Sequence, residues 1–314
     1  MPGSCGAAPA IPRPSPTKDY YGEPGLATRP ESPADGRSTL ARKGPLASGV
    51  PIKIVKLGGS VITKKGASEG VAEAEVLARL AREVMAAGGE TIVLHGAGSF
   101  GHPGALKYGL KAGLAAKGSL QGAAEVRASV ARLNGRVMEA LRDAGAAPWP
   151  LPPSSIATMR EGALKKIDWE IFDAALGRGL VPVSHGDVVL DDTLGVSVLS
   201  ADDIAVALSR HLHPTLVVFA VDVDGVFDRD PGEDGAALIQ RLKASDKVAI
   251  PEGTGKAADV TGAMAGKLKA AQAIAFGGAR VRIVNGQVPG RVEGALLGKD
   301  VTGTEVVPPG VVAR

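Results

Sequence analysis

The chain has 314 residues, enough for one large or two modest domains with real cores, and it combines 45% hydrophobic and 22% charged residues with a net charge of +3. So small a charge, without a long basic run and with 3% aromatics, excludes a nucleic-acid surface built from basic patches and stacked bases, yet leaves room for a small anionic substrate. The single cysteine, Cys5, excludes an internal disulfide framework and a cysteine-based zinc site, and it fits a reducing, cytoplasmic setting; no apolar run reaches the length of about 18 residues that spans a membrane.

Residues 1–49 are rich in Pro, Gly, Ala and Ser and lack apolar periodicity, so a disordered tail is expected. The tail lacks the apolar stretch of a secretory signal. Its acidic residues Asp19, Glu23, Glu31 and Asp35 argue against an organelle transit peptide, although Ser, Thr and Arg keep that option open. Order is expected from Pro51. Ile52 to Leu57 reads as a strand carrying Lys56 at its end, followed by the turn Gly58-Gly59-Ser60 and a segment bearing Lys64 and Lys65 that can fold back over the same mouth. Lys64 reads as a solvated surface lysine. Glu69 to Ala87 has helical spacing and ends at Gly88-Gly89, and Thr91 to Leu94 is a second buried strand.

His95-Gly96-Ala97-Gly98-Ser99-Phe100-Gly101-His102 follows that strand. Glycines at a strand-to-helix turn let backbone N–H groups approach an anion, and His102 offers a further donor. A tight structural turn with incidental histidines is the plain alternative. The loop also matches Gly-x-Gly-x-x-Gly, but a dinucleotide fingerprint needs an acidic residue ending a second strand about 20 residues later, and Lys117 to Gly145 has helical character instead.

Leu120 to Ala144 reads as an amphipathic helix, Pro148 to Ser155 as a connector, and Trp169 to Leu176 as a short helix. Leu180 to Val183 is a strand running into His185-Gly186-Asp187. Val188–Leu190 and Val196–Leu199 flank Asp191-Asp192-Thr193-Leu194-Gly195 as a hairpin. Ser200 is expected to cap a helix whose Asp202 and Asp203 suit the helix dipole. Leu216 to Val221 is a buried strand ending in Asp222-Val223-Asp224-Gly225, where α/β sheets bind ligands. Asp259-Val260-Thr261-Gly262 is expected to open a helix carrying Lys267 about one turn in, followed by strands at Val281–Val284 and near Thr304–Val307. Strands alternating with helices give an α/β fold, a three-layer αβα sandwich with a mainly parallel central sheet.

Glycine turns with accompanying lysines suit phosphoryl transfer, which depends on positioning and charge neutralisation. Neither a Walker A pattern nor the protein-kinase motifs occur. Five ordered motifs, Lys56-Leu57-Gly58-Gly59-Ser60, His95 to His102, His185-Gly186-Asp187, Asp222 to Val226 and Asp259 to Met264, together resemble the amino acid kinase superfamily over about residues 51–308. Within it, the ending Gly98-Ser99-Phe100-Gly101-His102 is similar to isopentenyl phosphate kinases and the related fosfomycin kinases. Pro153-Ser154-Ser155, Asp191-Asp192 and Leu199 to Asp203 resemble the former.

The resemblance implies ATP-dependent, Mg²⁺-assisted phosphorylation of isopentenyl phosphate by a homodimer. It implies an acceptor-binding lobe at residues 50–190 and an ATP-binding lobe at 191–314. Lys56, Lys65, His102 and Lys267 are implied as catalytic. The ATP site would comprise Lys56, Leu57, Gly58, Gly59, Ser60, Gly98, Asp222, Asp224, Gly262, Ala263 and Lys267, and the acceptor site Ala97, Gly98, His102, Gly186 and Asp187, with no protein metal ligands. Asp187 could position lysines or water around Mg²⁺, although for Asp187, Asp222 and Asp224 a cap or turn role is an equal reading. Tyr108, Leu110, Ile156 and Met159 are candidates for an apolar tail pocket. A kinase of another small phosphate or phosphonate, or a non-catalytic nucleotide-binding protein on the same fold, are the alternatives. Ala97, Ala201 and Ala263 stand where many relatives carry glycine; each keeps its backbone N–H.

Overall fold

A computed structural model of the chain describes residues 50–67, 70–115, 117–248 and 256–310, with residues 256–263 described as backbone only. The expected N-terminal tail, residues 1–49, lies outside the described residues.

In chain order the elements are β1 (Lys53–Leu57), α1 (Gly59–Ile62), α2 (Ala74–Ala86), β2 (Thr91–His95), α3 (His102–Lys107), α4 (Ser119–Asp143), β3 (Pro148–Pro150), α5 (Pro153–Ile156), β4 (Ala157–Arg160) and β5 (Ala163–Ile167). There follow α6 (Glu170–Leu176), β6 (Val181–His185), β7 (Asp187–Asp191), β8 (Gly195–Leu199), α7 (Ala201–Leu212), β9 (Leu216–Val221), β10 (Arg241–Lys243), α8 (Lys256–Phe276), β11 (Arg280–Asn285), α9 (Arg291–Leu296) and β12 (Thr304–Val307). One sheet takes eight strands in the order β10-β12-β11-β9-β1-β2-β6-β3, parallel throughout except where β11 meets β12. The alternating pattern of strands and helices fits this arrangement, since each crossover helix carries the chain back to the end of the sheet at which a parallel strand begins.

Side chains alternate across the sheet, and helices cover both faces. Ile54, Ile92, Val217 and Phe219 pack with Phe172 of α6, Leu208 of α7 and Ile274 of α8, whereas Val55, Val93 and Val218 pack with Leu80 of α2, Val130 and Leu133 of α4 and Val292 of α9. All are at most 2% exposed, and each such side chain contributes about 1.5–3 kcal/mol by leaving water. This is the expected three-layer sandwich. Because the period of a strand is two, Lys56 shares the face of Ile54 and points into the α7–α8 layer.

A second, four-stranded sheet, β5-β4-β7-β8, contains the expected hairpin as β7 and β8 and an additional β4–β5 hairpin. Asp191 joins them. Its buried carboxylate accepts from the N–H groups of Glu161, Gly162, Thr193 and Leu194 and from the Ser197 hydroxyl. Burial opposes its ionisation, but these donors hold its carboxyl well below the usual carboxylate range.

Three expectations change. The helix expected to open at Asp259-Gly262 begins at Lys256, so Gly262 and Ala263 lie within α8, and Lys267 sits about three turns in rather than one. Leu110 and Met159 are 0% and 1% exposed and belong to opposite core layers, so they do not line one tail pocket. Pro148 to Ser155 is not a plain connector, since β3 and the start of α5 lie there.

A buried ion pair fixes the far side of the sheet's mouth. Glu83 of α2 accepts the N–H groups of Gly290, Val292 and Glu293 at 3.0, 3.1 and 3.2 Å, the unsatisfied donors at the start of α9. Arg79 donates to Glu83 at 2.6 Å and to the Gly286 carbonyl at 2.6 Å. Glu83→Ala removes the acceptor of three N–H groups, that of Val292 buried and the other two partly so, and the partner of one guanidinium. It is expected to lower stability by about 2–4 kcal/mol, measured by urea unfolding.

Candidate active site

The carboxyl ends of β1, β2, β6 and β9 lie side by side, and the loops that leave them meet. Gly58 N–H donates to the Ala220 carbonyl, Gly96 N–H to the Leu57 carbonyl, and Gly186 N–H to the His95 carbonyl, at 2.8, 2.9 and 3.0 Å. Leu57 itself is core, so only its backbone faces the mouth. Thr63 ties the first two loops together. Its hydroxyl donates to the Gly59 carbonyl at 2.7 Å and accepts from Ser99 N–H at 3.0 Å. Ala97 and Gly98 lie at the start of a 3-10 turn (Gly98–Phe100), and His102 opens α3 with an exposed side chain.

The cations assemble around two aspartates. Lys56, 5% exposed, places Nζ 2.8 Å from Oδ1 of Asp202, and Lys267 of α8 places Nζ 3.9 Å from Oδ2 of the same carboxylate. Burial opposes ionisation of Asp202, but Lys56 and Lys267 outweigh it and keep the carboxyl below its ordinary value. Lys267 is pulled down to about 8, first by burial and then by Lys56, against the attraction of Asp202 and Asp222. Asp222 in turn sits 3.2 Å from the exposed Nζ of Lys65. Burial raises its pKa, yet Lys65 prevails, and Ser60 also contributes a hydrogen bond. Lys56, Asp202, Lys267, Asp222 and Lys65 thus alternate in charge across the mouth of the sheet.

Sequence reading placed the lysines but not the carboxylate between two of them. Asp202 and Asp203 both fall in the first turn of α7, and both suited its dipole. Asp203 is the one that serves the cap: its N–H donates to Ser200 Oγ at 3.0 Å and its carboxylate accepts from that hydroxyl at 2.7 Å. One helical step turns Asp202 inward to Lys56. The only signal was the order of the pair after the capping serine.

Other candidates sit differently. Asp187 does not position a lysine; its cation is Arg127 of α4, at 3.7 Å, and Arg127 also bonds Ser154. Burial raises the Asp187 pKa despite that guanidinium. Asp224 turns away from the lysines. It accepts from Asn285 at 3.0 Å and pairs with Arg291, an arrangement that ties β9 to α9. The side chains around Gly262 and Ala263 lie outside the described residues.

Comparison with known proteins then decides the family: residues 51–285 match the amino acid kinase family. The chain belongs to that family. Among relatives of this family, an isopentenyl phosphate kinase of Methanothermobacter thermautotrophicus is 36% identical over 261 residues, covering 81% of this chain and 98% of that protein. One of Methanocaldococcus jannaschii is 31% identical over 270 residues, covering 81% and 98%. A solved isopentenyl phosphate kinase structure superposes with a TM-score of 0.72 at 34% identity, covering 82% of this chain and all of the other. Glycine backbone and buried lysines in a site of low dielectric are the chemistry that stabilises phosphate groups.

Proposed function

We propose that this chain is an isopentenyl phosphate kinase, transferring the γ-phosphoryl group of ATP to isopentenyl phosphate to give isopentenyl diphosphate and ADP. One observation carries the reading: two buried lysines share Asp202 beneath glycine loops, in a chain whose relatives bear that name. A phosphate monoester has a second pKa of about 6 and is largely dianionic near neutral pH, so its attacking oxygen needs no general base. The obstacle is the approach of two anions. Convergent lysines and backbone N–H groups remove it.

In this reading Lys56 and Lys267 hold the ATP phosphates with the backbone of Leu57, Gly58, Gly59, Ser60 and Gly98. Lys65 neutralises the group in transit. Asp222 sets Lys65, Asp224 braces the nucleotide side through Arg291, and Gly262 and Ala263 complete that side from α8. The acceptor phosphate lies against Ala97, Gly98, His102, Gly186 and Asp187. Residues 50–190 then carry the acceptor site together with the glycine loops that hold the ATP phosphates, and 191–314 supply the rest of the nucleotide side; both feed strands to one sheet.

Among the described residues no group of three or more His, Cys, Asp or Glu is arranged to hold a metal ion. Mg²⁺ belongs to the MgATP substrate, held by phosphate oxygens and water as is usual for that ion. The same reading takes the working unit as a cytoplasmic homodimer, which equilibrium sedimentation and cell fractionation would test. Among the described residues no helix is long and apolar enough to cross a membrane.

An ADP-release assay with MgATP checks the reading against isopentenyl phosphate, dimethylallyl phosphate and fosfomycin. Turnover is expected with isopentenyl phosphate, with a loss of about a hundredfold or more in kcat/KM for Lys65→Ala and for His102→Ala. Turnover of fosfomycin alone would leave the family intact and overturn the substrate.

A further inference from the structure

Two histidines lie beneath the acceptor loops with no role in the account so far. His95 ends β2 and His185 ends β6. They are register partners in the sheet, 0% and 2% exposed, with stacked rings whose centroids are 5.1 Å apart. Each makes the same contact: Nδ1 of His95 lies 3.0 Å from the Gly96 carbonyl oxygen, and Nδ1 of His185 lies 3.1 Å from that of Gly186. A carbonyl only accepts, so both rings carry their proton on Nδ1. Burial, with His185 beside it, holds His95 neutral. Nε2 of His95 lies 3.2 Å from Oδ1 of Asn134; with the ring proton on Nδ1 that nitrogen accepts, which requires the Asn134 carboxamide to be turned over so that its N–H₂ group faces the ring.

This contact has a geometric consequence. None of the peptide bonds is cis among the described residues, and in a trans peptide the C=O of one residue and the N–H of the next point in opposite directions. Drawing the Gly96 carbonyl inward to His95 turns the Ala97 N–H outward. Ala97 N borders the space beside Gly186: a Cβ built on Gly186 falls 3.4 Å from the Leu199 carbonyl oxygen, 3.5 Å from Ala201 N at the start of α7 and 3.9 Å from Ala97 N. Two of these three atoms are backbone nitrogens, the donors a phosphate oxygen takes, and one of them opens a helix.

We propose that His95, held by Asn134 and stacked on His185, is a positioning residue that fixes the peptide between Gly96 and Ala97 with its N–H aimed at the acceptor phosphate. His185 fixes the neighbouring peptide after Gly186 in the same way. The inference rests on the proposed acceptor site. It adds a reason for a histidine ahead of each glycine: imidazole supplies a rigid donor on a short side chain and, when neutral, brings no charge into the core.

The test compares His95→Asn with His95→Leu, and His185→Asn with His185→Leu, measuring KM for isopentenyl phosphate, KM for ATP and the melting temperature of each. Asparagine carries an N–H₂ near the place of Nδ1 and leucine carries none. The leucine variants are expected to raise the acceptor KM by about tenfold or more, with ATP KM within about twofold, and the asparagine variants to recover most of the loss. The His185 pair decides the matter should His95→Leu fail to fold. If a folded leucine variant raises both KM values together, or neither, or if asparagine fails to rescue, the positioning role is overturned. Failure of the wild-type protein to use isopentenyl phosphate would overturn the underlying reading instead.

Discussion

Asp202→Asn is expected to lower kcat/KM for ATP by about a hundredfold or more while leaving a folded protein. The substitution keeps the volume at the start of α7 and removes, among the described residues, the one negative charge that lies within 4 Å of both Lys56 and Lys267. Two buried ammonium groups would then face each other without the carboxylate between them, and only the weaker attraction of Asp222 would remain on Lys267. Charge repulsion and desolvation act in the same direction on Lys267, whose pKa already stands at about 8 because burial and Lys56 lower it and Asp202 only partly compensates. In the wild type, kcat/KM for ATP should therefore fall as pH rises through about 8, since this parameter follows the free enzyme and Lys267 loses its proton there. In Asp202→Asn that fall should begin at lower pH, because the group that raised the lysine's pKa is gone. Lys267→Arg should abolish it, since a guanidinium stays charged throughout. An alkaline limb unchanged by both substitutions would show that Lys267 is not the titrating group.

The sequence disclosed those parts of the fold in which burial and pattern coincide. β1, β2, β9 and β11 are apolar runs because both faces of a parallel sheet are covered, and α4 shows its phase because one side meets the sheet and the other meets water. β5 gave no such sign. Its sequence Ala163-Leu164-Lys165-Lys166-Ile167 is mostly exposed, and it pairs with β4 through a bulge that breaks the alternation. β10, with three residues, and α5, with four, are too short for any period to emerge. Asp259 and Thr261 are good capping residues, so they suggested a helix start that the preceding residues in fact extend.

At the site the same division applies. Glycine turns and lysines mark themselves by composition, so Lys56, Gly58, Gly59, Gly98 and Lys267 were legible. What pairs with them was not, because partnership depends on side-chain direction across long separations. Asp202 reaches Lys56 from a helix about 150 residues away, and Asn134 reaches His95 from the opposite layer. Leu110 and Met159 misled for the converse reason: an apolar residue near a substrate loop and one in the core look alike in sequence, and only packing separates them.

Gly59→Ala is expected to be strongly disruptive at the site although it adds a single methyl group. The two glycine loops touch backbone to backbone: a Cβ on Gly59 would lie 2.4 Å from Gly98 N and 2.6 Å from Gly98 Cα. Side-chain clashes can be relieved by a change of rotamer, but here one loop must move. Gly98 cannot yield easily, since its own φ is +49° and its α-carbon is already hemmed in by Thr63 and the Gly59 carbonyl. Overpacking of this kind should cost about 3 kcal/mol, which for a domain of this size lowers the melting temperature by about 6–12 °C. Activity should fall further than stability alone explains. Both loops carry N–H groups meant for phosphate oxygens, and a displacement of about 1 Å is enough to cost about a hundredfold. Gly135→Ala is the matched control. It lies within α4 with nothing inside 4 Å of its added methyl, so it should leave kcat unchanged and stabilise the helix by about 0.5–1 kcal/mol. If Gly59→Ala melts and turns over like Gly135→Ala, the loops do not touch as described, and the site built on their contact must be redrawn.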